Sequence, residues 1–442
     1  WSVRSADDWN AMATAFNNGT LTNRNDLVIN IEANLDFTGK NLVSLGTADA
    51  SASYFLGKLN GDGNAFQAAN LTRPIIAGIA GTAEVNDVVV NQNCTLTPGW
   101  ADSDKTDKPR FTYSALIGYA VNGTVSNCMN NAKINVAAKA VAVNTAIGGI
   151  VAELGGATIR NCTNGGSITI ANGFSANPRL SIGGIAGFTA PEGQIRSCRN
   201  QGDISVSGTS ANLGIGGVVA YAQGPIVNCT ARNSTITATT TSAVEMGGIA
   251  ATVASVNVFN ESSTFANTVN NVKLVSNGAT SSVRCGGLYG YSSVTTTLHL
   301  FGQVFTNGSS ISVSNLKSDA GTKAFGGGIV GRAEKNIIFD VTNNAAVEGN
   351  ITVDTGASLQ ANMGIGGVIG YGQEQVAVGS TAGPSFKYTG SILLKTASKT
   401  SYSTTNCSIG GLVGCCMSST TIRACVVDSP YVGWPASSAS TS

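Results

Sequence analysis

Charge is what this chain has least of. Asp, Glu, Lys and Arg make up 11% of its 442 residues, against roughly 25% in an average soluble domain. The net charge is +1 and no basic run occurs, so the electrostatic footprint of a nucleic-acid or anionic-membrane binder is missing. No apolar stretch approaches the ~18 residues needed to span a bilayer. Acids number 24 and histidine is present once, as His299, which leaves little material for acid–base chemistry. Glycoside hydrolysis calls for two carboxyl groups roughly 5–10 Å apart. Glu153, Glu192, Glu245, Glu334 and Glu374 fall near paired glycines, but in different registers. His299 sits in Thr-Leu-His-Leu-Phe, an alternating stretch, and reads as an outward or hydrogen-bonded strand histidine rather than half of a Cys–His pair.

What the chain does have is glycine, 55 residues of it, and 42% apolar residues, enough to fill a core. It also repeats itself. Ile147–Ile170 reads IGGIVAELGGATIRNCTNGGSITI, Ile182–Val206 reads IGGIAGFTAPEGQIRSCRNQGDISV, and Ile215–Ala238 reads IGGVVAYAQGPIVNCTARNSTITA. Openings at Gly148, Gly183, Gly216, Gly247, Gly286, Gly327, Gly366 and Gly410 follow one another at 35, 33, 31, 39, 41, 39 and 44 residues. Weaker copies lie near Ala77 and Ser114. Self-similarity at such a period implies a solenoid. Three short strands per copy, joined by Gly/Asn turns, describe one coil of a parallel β-helix, and about ten coils at ~4.8 Å each are expected. The paired glycines read as corners or close backbone approaches. A phosphate loop would need a helix start and a nearby Lys, which are absent.

Residues 1–75 differ from the rest. Ser5-Ala-Asp-Asp8 has capping-box spacing, and Trp9, Met12, Ala13 and Phe16 form one apolar helical face. Leu27–Ile31 and Leu35–Phe37 alternate as strands do. The expected organisation is a capping region over 1–75, repeats over 76–428 and a polar tail over 429–442. A solenoid end needs covering, and the helix supplies a cap.

Ten cysteines could suggest disulfides, yet Cys94, Cys128, Cys162, Cys198 and Cys229 recur at 34, 34, 36 and 31 residues. Cys425 takes the same place in the last copy. One cysteine per repeat predicts a buried, reduced column, since stacked Cβ vectors run parallel. Cys407, Cys415 and Cys416 are the expected exceptions. The Asn before these cysteines reads as a ladder of turn amides. The one acidic cluster, Asp102, Asp104 and Asp107, alternates as a calcium loop does, making Ca2+ the candidate ion. The glycine and terminal Glu of an EF-hand are missing, so a solvated loop competes with that reading. Trp100, Phe111 and Tyr113 in the same loop are the candidate ligand-binding aromatics, able to stack on sugar faces or to pin the loop to the rod.

These motifs resemble the GLUG-repeat proteins of bacterial surfaces, particularly those of gut Bacteroidetes. Gly148–Ile170, Gly183–Val206 and Gly410–Cys425 follow that repeat closely, while Gly247–Ser276 and Gly286–Val313 lack its Asn-Cys. Trp9–Phe16, Leu35–Lys40 and Phe55–Asn64 are similar to the leader of such proteins. A start at Trp1 instead of Met reads as the removal of a secretory signal segment, with trimming of the chain as the alternative. The resemblance implies a bacterial cell-surface location and no catalytic residue. The expected function is therefore non-catalytic, in adhesion or as a structural element, with no cofactor. Expected partners are host or neighbouring-cell glycans or proteins, or further copies of the chain. Two rival readings are a subunit of an extracellular fibre and a polysaccharide lyase or hydrolase on a β-helix scaffold.

Overall fold

The computed structural model describes residues 1–47, 54–98, 110–255, 267–279, 282–316, 323–340, 345–354, 362–379, 386–395 and 407–433. It is an all-β parallel solenoid, with every strand pairing between named strands parallel and one coil stacked on the next. The coil from Asn144 shows how the sequence makes the shape. Asn144–Gly148 runs into the glycine pair, Val151–Leu154 leaves it, and Thr158–Arg160 leads to a bend at Asn161-Cys162. Thr163–Asn164 and Ile168–Ile170 then complete the turn. Each of the three repeat stretches is present, with the first split at the glycines and the second bent before the cysteine. The strands leaving the glycine pairs form a ten-stranded sheet, and those entering them another sheet of ten.

The opening glycines Gly148, Gly183, Gly216, Gly247, Gly286, Gly327, Gly366 and Gly410 stand in one register. Space, not dihedral freedom, demands glycine there. A Cβ on Gly148 would overlap the Val151 carbonyl oxygen, and the same clash recurs at each opening glycine. The second glycine of each pair but the last abuts the next coil: a Cβ on Gly184 would overlap the Gly217 carbonyl oxygen and the Asn200 amide. At the other corner the constraint is conformational. Asn127, Asn161 and Asn228 have φ of 55°, 56° and 53°, the left-handed region that Asn tolerates better than most residues.

The strands of residues 1–75 are the first rungs of the same stack. Ser2–Val3 pairs with Val28–Ile31, which pairs with Lys58–Asn60, which pairs with Glu84–Asn86. Helix α1 (Ala6–Asn17) lies over that end. Ser5 caps it, accepting from the Asp8 N–H. Trp9, Met12, Ala13 and Phe16 are all buried, with Trp9 meeting Phe66 edge-on at 4.8 Å. The Trp9 indole N–H donates to the Val43 carbonyl, 2.9 Å away. Asn10 and Asn17 each clasp backbone of residues 41–46 through their side-chain amides.

Two columns fill much of the interior. Backbone bonds from Met129, Thr163, Arg199, Thr230, Thr268 and Val304 to the preceding coil stack Val88, Cys128, Cys162, Cys198, Cys229, Asn267 and Gln303. Each of Cys128, Cys162, Cys198 and Cys229 directs its Sγ at two carbonyls, one in its own coil and one in the coil before. All four are buried free thiols. Cys94 is a correction to the expected column. It is a buried thiol, but Thr95 bonds to the Ala69 carbonyl and Lys133 to the Cys94 carbonyl, so it stacks between Ala69 and Ala132. Val88 holds the column position in that coil, and the equal spacing of 34 was coincidental. Cys425 pairs with Phe386 and directs its Sγ at Val378 and Arg423 in the column's manner, though only half-buried. Cys415 and Cys416 are free thiols too, while the Cys407 side chain lies outside the described residues.

The second column stands two residues further on and holds the buried amides that the sequence reading passed over. Asn130 Nδ2 donates to Asn164 Oδ1 and Asn164 Nδ2 to Asn200 Oδ1, both at 2.8 Å. All three side chains are 0% exposed.

Candidate functional site

Trp100, Asp102, Asp104 and Asp107 lie outside the described residues, as does the side chain of Phe111. Tyr113 belongs to the core, not to a loop: it is 4% exposed and pairs with Ile147 in the strand Arg110–Ser114. Strand alternation turns its ring inward, away from any ligand. Among the described residues no group of three or more His, Cys, Asp or Glu side chains could hold a metal ion. His299 is exposed on the strand Leu298–Phe301, its ring stacked near Phe301. The segment after Gly173 is largely strand: Ser175–Gly183 pairs with Ala140–Val141, Asn144–Gly148 and Thr209–Gly216.

What the fold does assemble is a strip along the glycine corner, where the strands entering and leaving the pairs present side chains beside one another. Five residues after each opening glycine stand Glu153, Phe188, Tyr221, Thr252, Tyr291, Arg332, Tyr371 and Cys415, each in register with the next. Two residues before it stand Ala146, Ser181, Gly214, Glu245, Arg284, Phe325, Gly364 and Ser408. Apart from Glu153 and Glu245, noted from the sequence only as acids near glycine pairs, these are the functional candidates the sequence reading missed. The signal was there: counting from the glycine pair, instead of searching for acids, aligns the aromatics in one column.

Arg179 starts the strip. Its strand shifts register between Ala176 and Arg179, an irregularity of the kind that re-aims a side chain. Its Nη2 donates to Glu245 Oε2 at 2.9 Å and to Thr252 Oγ1 at 2.8 Å, two coils onward. The coil between contributes Gly214, where a Cβ would come within 2.5 Å of that Nη2. Glycine keeps the path open. Glu245 is 8% exposed, and its other oxygen accepts from Arg284 Nη1 at 2.5 Å. Burial would raise the Glu245 carboxyl, but Arg179, Thr252 and Arg284 together hold it below the usual carboxylate range. The Arg284 guanidinium lies 4.2 Å from the Tyr291 ring centre, and that of Arg332 sits about equally near Phe325 and Tyr371, at 5.3 and 5.4 Å. Both arginines bury their Nε without a hydrogen-bond partner among the described residues, facing ring electrons instead. Burial, and then the hydrogen bond its hydroxyl donates to Glu334, push the Tyr291 phenol up to about 12.

At the N-terminal end of the strip a pocket of about 270 Å³ opens between Asn144, Thr145, Ala146, Arg179, Ser181, Phe188, Tyr221 and Gln223. Phe188 and Tyr221 stack at 5.5 Å and 8°, and Arg179 lies 5.0 Å from the Tyr221 ring centre. The pocket combines ring surface, amides, hydroxyls and one cation. Among the described residues no helix is long and apolar enough to cross a membrane.

No protein-family model matches the chain, and no curated protein matches it. Among solved structures it is similar to one described as a putative immunoglobulin A1 protease from Bacteroides ovatus, at 16% identity and a TM-score of 0.39. That match covers 63% of this chain and 77% of the other. So distant a likeness carries no argument about activity.

Proposed function

We propose that this chain is a non-catalytic β-solenoid of the GLUG-repeat type, secreted or held at a cell surface, that works in adhesion or as a structural element. The observation that carries the reading is the strip itself. Aromatic and arginine side chains recur along the rod from Phe188 to Tyr371, as suits weak contacts repeated along one extended partner. The state of Glu245 supports the non-catalytic side. A glycan-cleaving general acid needs a raised pKa, whereas two guanidinium groups hold this carboxylate ionised.

The test is to display the chain at high density on beads and measure attachment to glycan-coated surfaces and to cells. Attachment far exceeding that of the free monomer is expected, with no new reducing ends in the glycan. Release of reducing ends that Glu245→Gln or Glu334→Gln abolishes would establish the enzyme instead.

A further inference from the structure

We propose that the pocket beside Arg179 binds one acidic sugar residue, with the sugar's anionic group on the Arg179 guanidinium and its ring seated by Tyr221 and Phe188. The proposal deepens the adhesion reading and rests on it for the expectation that the partner is a glycan. Size comes first. At about 270 Å³ the pocket falls just under the roughly 300–1,000 Å³ of drug-sized sites, which suits a single monosaccharide unit. Its lining suits one too. Phe188 and Tyr221 offer apolar surface for the ring carbons, while Asn144 and Gln223 offer donors and acceptors for hydroxyls.

Charge decides the class of sugar. Arg179, Glu245 and Arg284 are two cations around one anion, a net charge of +1 over these three, and Glu153, one rung from Phe188, is not among the pocket's lining residues. Glu245 spends both oxygens on its neighbours: Oε2 accepts from Arg179 and Thr252, and Oε1 from Arg284. Arg179 gives its Nε to Ser181 and its Nη2 to Glu245 and Thr252. Its Nη1 has no hydrogen-bond partner among the described residues and belongs to a side chain lining the pocket. A planar guanidinium with a free N–H edge matches a carboxylate or a sulfate ester. The arginine is also held in place beforehand, by Ser181, Glu245, Thr252 and the Tyr221 ring. A ligand therefore need not immobilise a long side chain on binding.

Calorimetric titration tests this with trigalacturonate, its neutral methyl ester and a heparin-derived tetrasaccharide. At least one acidic oligosaccharide should bind tenfold or more tightly than the methyl ester, and which one binds separates carboxylate from sulfate. Arg179→Gln should weaken that binding at least tenfold. Gln223→Ala, outside the ion network, should weaken it several-fold with an unchanged denaturation midpoint, so a folding defect cannot mimic the result. Equal binding of the methyl ester, unchanged binding in R179Q, or no binding of either acid at millimolar concentration overturns the proposal. If no acid binds but bead attachment to cells persists, the pocket assignment falls alone. If R179Q loses acid binding and cell attachment fails even in the unsubstituted chain, the pocket stands and the adhesion reading falls.

Discussion

The interior of the rod solves one packing problem twice, and the two halves differ. Leu35, Phe66, Val90, Asn130, Asn164, Asn200, Ala231, Val269, Phe305, Val347, Tyr388 and Val427 form a single column in register. Its middle is a ladder of buried amides, and its C-terminal part is apolar and aromatic. The neighbouring column does the reverse. Thiols run from Cys128 to Cys229, and amides then take over at Asn267 and Gln303. There Asn267 Nδ2 donates to the Tyr289 hydroxyl at 3.0 Å, and that hydroxyl donates to Gln303 Oε1 at 2.7 Å. The amides change columns near Cys229 and Ala231. A buried amide is satisfied only opposite another polar group, so each ladder fixes the register of its coils. Apolar rungs give burial with less selectivity. The second glycine of every pair abuts whichever filler is present, Asn200 at Gly184 and Phe305 at Gly287.

The largest effect should come from giving that glycine a side chain. Gly184→Ala and Gly287→Ala each drive a Cβ into a carbonyl oxygen of the next coil, and each should cost about 4 kcal/mol or more. Soluble yield and chemical denaturation read the loss. Adding Phe305→Ala to Gly287→Ala sharpens the comparison, because it removes the ring but leaves the backbone clash. Rescue should be partial, and full rescue would mean that the filler, not the coil spacing, sets the requirement.

Breaking the ladder comes next. Asn164→Ala strands Asn130 Nδ2 and the Gly166 carbonyl and leaves Asn200 Oδ1 with the Gly202 N–H alone, and should cost about 3 kcal/mol. Val269→Ala, in the apolar part of the same column, should cost about 2 kcal/mol. Replacing Asn130, Asn164 and Asn200 together by Val removes the ladder but also the side-chain partners of the Ala132 and Gly202 N–H groups and of the Gly166 and Gly202 carbonyls, so the triple variant should be weaker than Asn164→Ala. A triple variant as stable as the unsubstituted chain would show that neither the ladder nor these backbone bonds contribute.

The difference between the halves also sets how much was legible in the sequence. The parallel coil was legible because Gly-Gly, Asn-Cys and Gly-x-Ile recur, and each marks a corner with one steric or dihedral cause. The helical cap was legible from Ser5, Trp9, Met12 and Phe16. The amide ladder was not, because Asn130, Asn164 and Asn200 look like turn residues beside Gly and Asn neighbours. The cysteine spacing misled at Cys94 because the rung from Val90 to Asn130 spans 40 residues, so a step of 34 lands six residues past Val88, which holds the column position. The strip stayed hidden for another reason. Arg179 reaches Glu245 across 66 residues, and only the stacking of coils makes them neighbours.

That ion chain straddles the switch. Arg179 belongs to a coil with a buried amide, while Glu245 and Arg284 belong to coils beyond Ala231. Glu245→Gln should therefore lower stability at neutral pH by about 2 kcal/mol. Because the folded pKa of Glu245 lies below the ordinary 4.5, its contribution is fully present above that value and fades as pH falls through the folded pKa. The gap between the two proteins' denaturation midpoints should stay constant from pH 7 to about 5 and close below pH 4. A gap that widens on acidification would show that the carboxylate is not held ionised.

The smallest effect is one of rate, and it tests the thiol half of the comparison. Cys128, Cys162, Cys198 and Cys229 are buried, and burial pushes the Cys229 thiol up to about 12. Cys285, beyond the switch, is likewise buried and raised to about 12. A disulfide reagent must reach the sulfur it exchanges with, and all five are buried, so none should react with an aromatic disulfide at pH 8 until the chain unfolds. Cys415, Cys416 and Cys425 are only half-buried and should react in the native state. If mass mapping of the labelled peptides finds Cys162 or Cys198 among the fast sites, the coils open locally along the thiol column. The amide-bearing half would then be the looser of the two, contrary to the register argument.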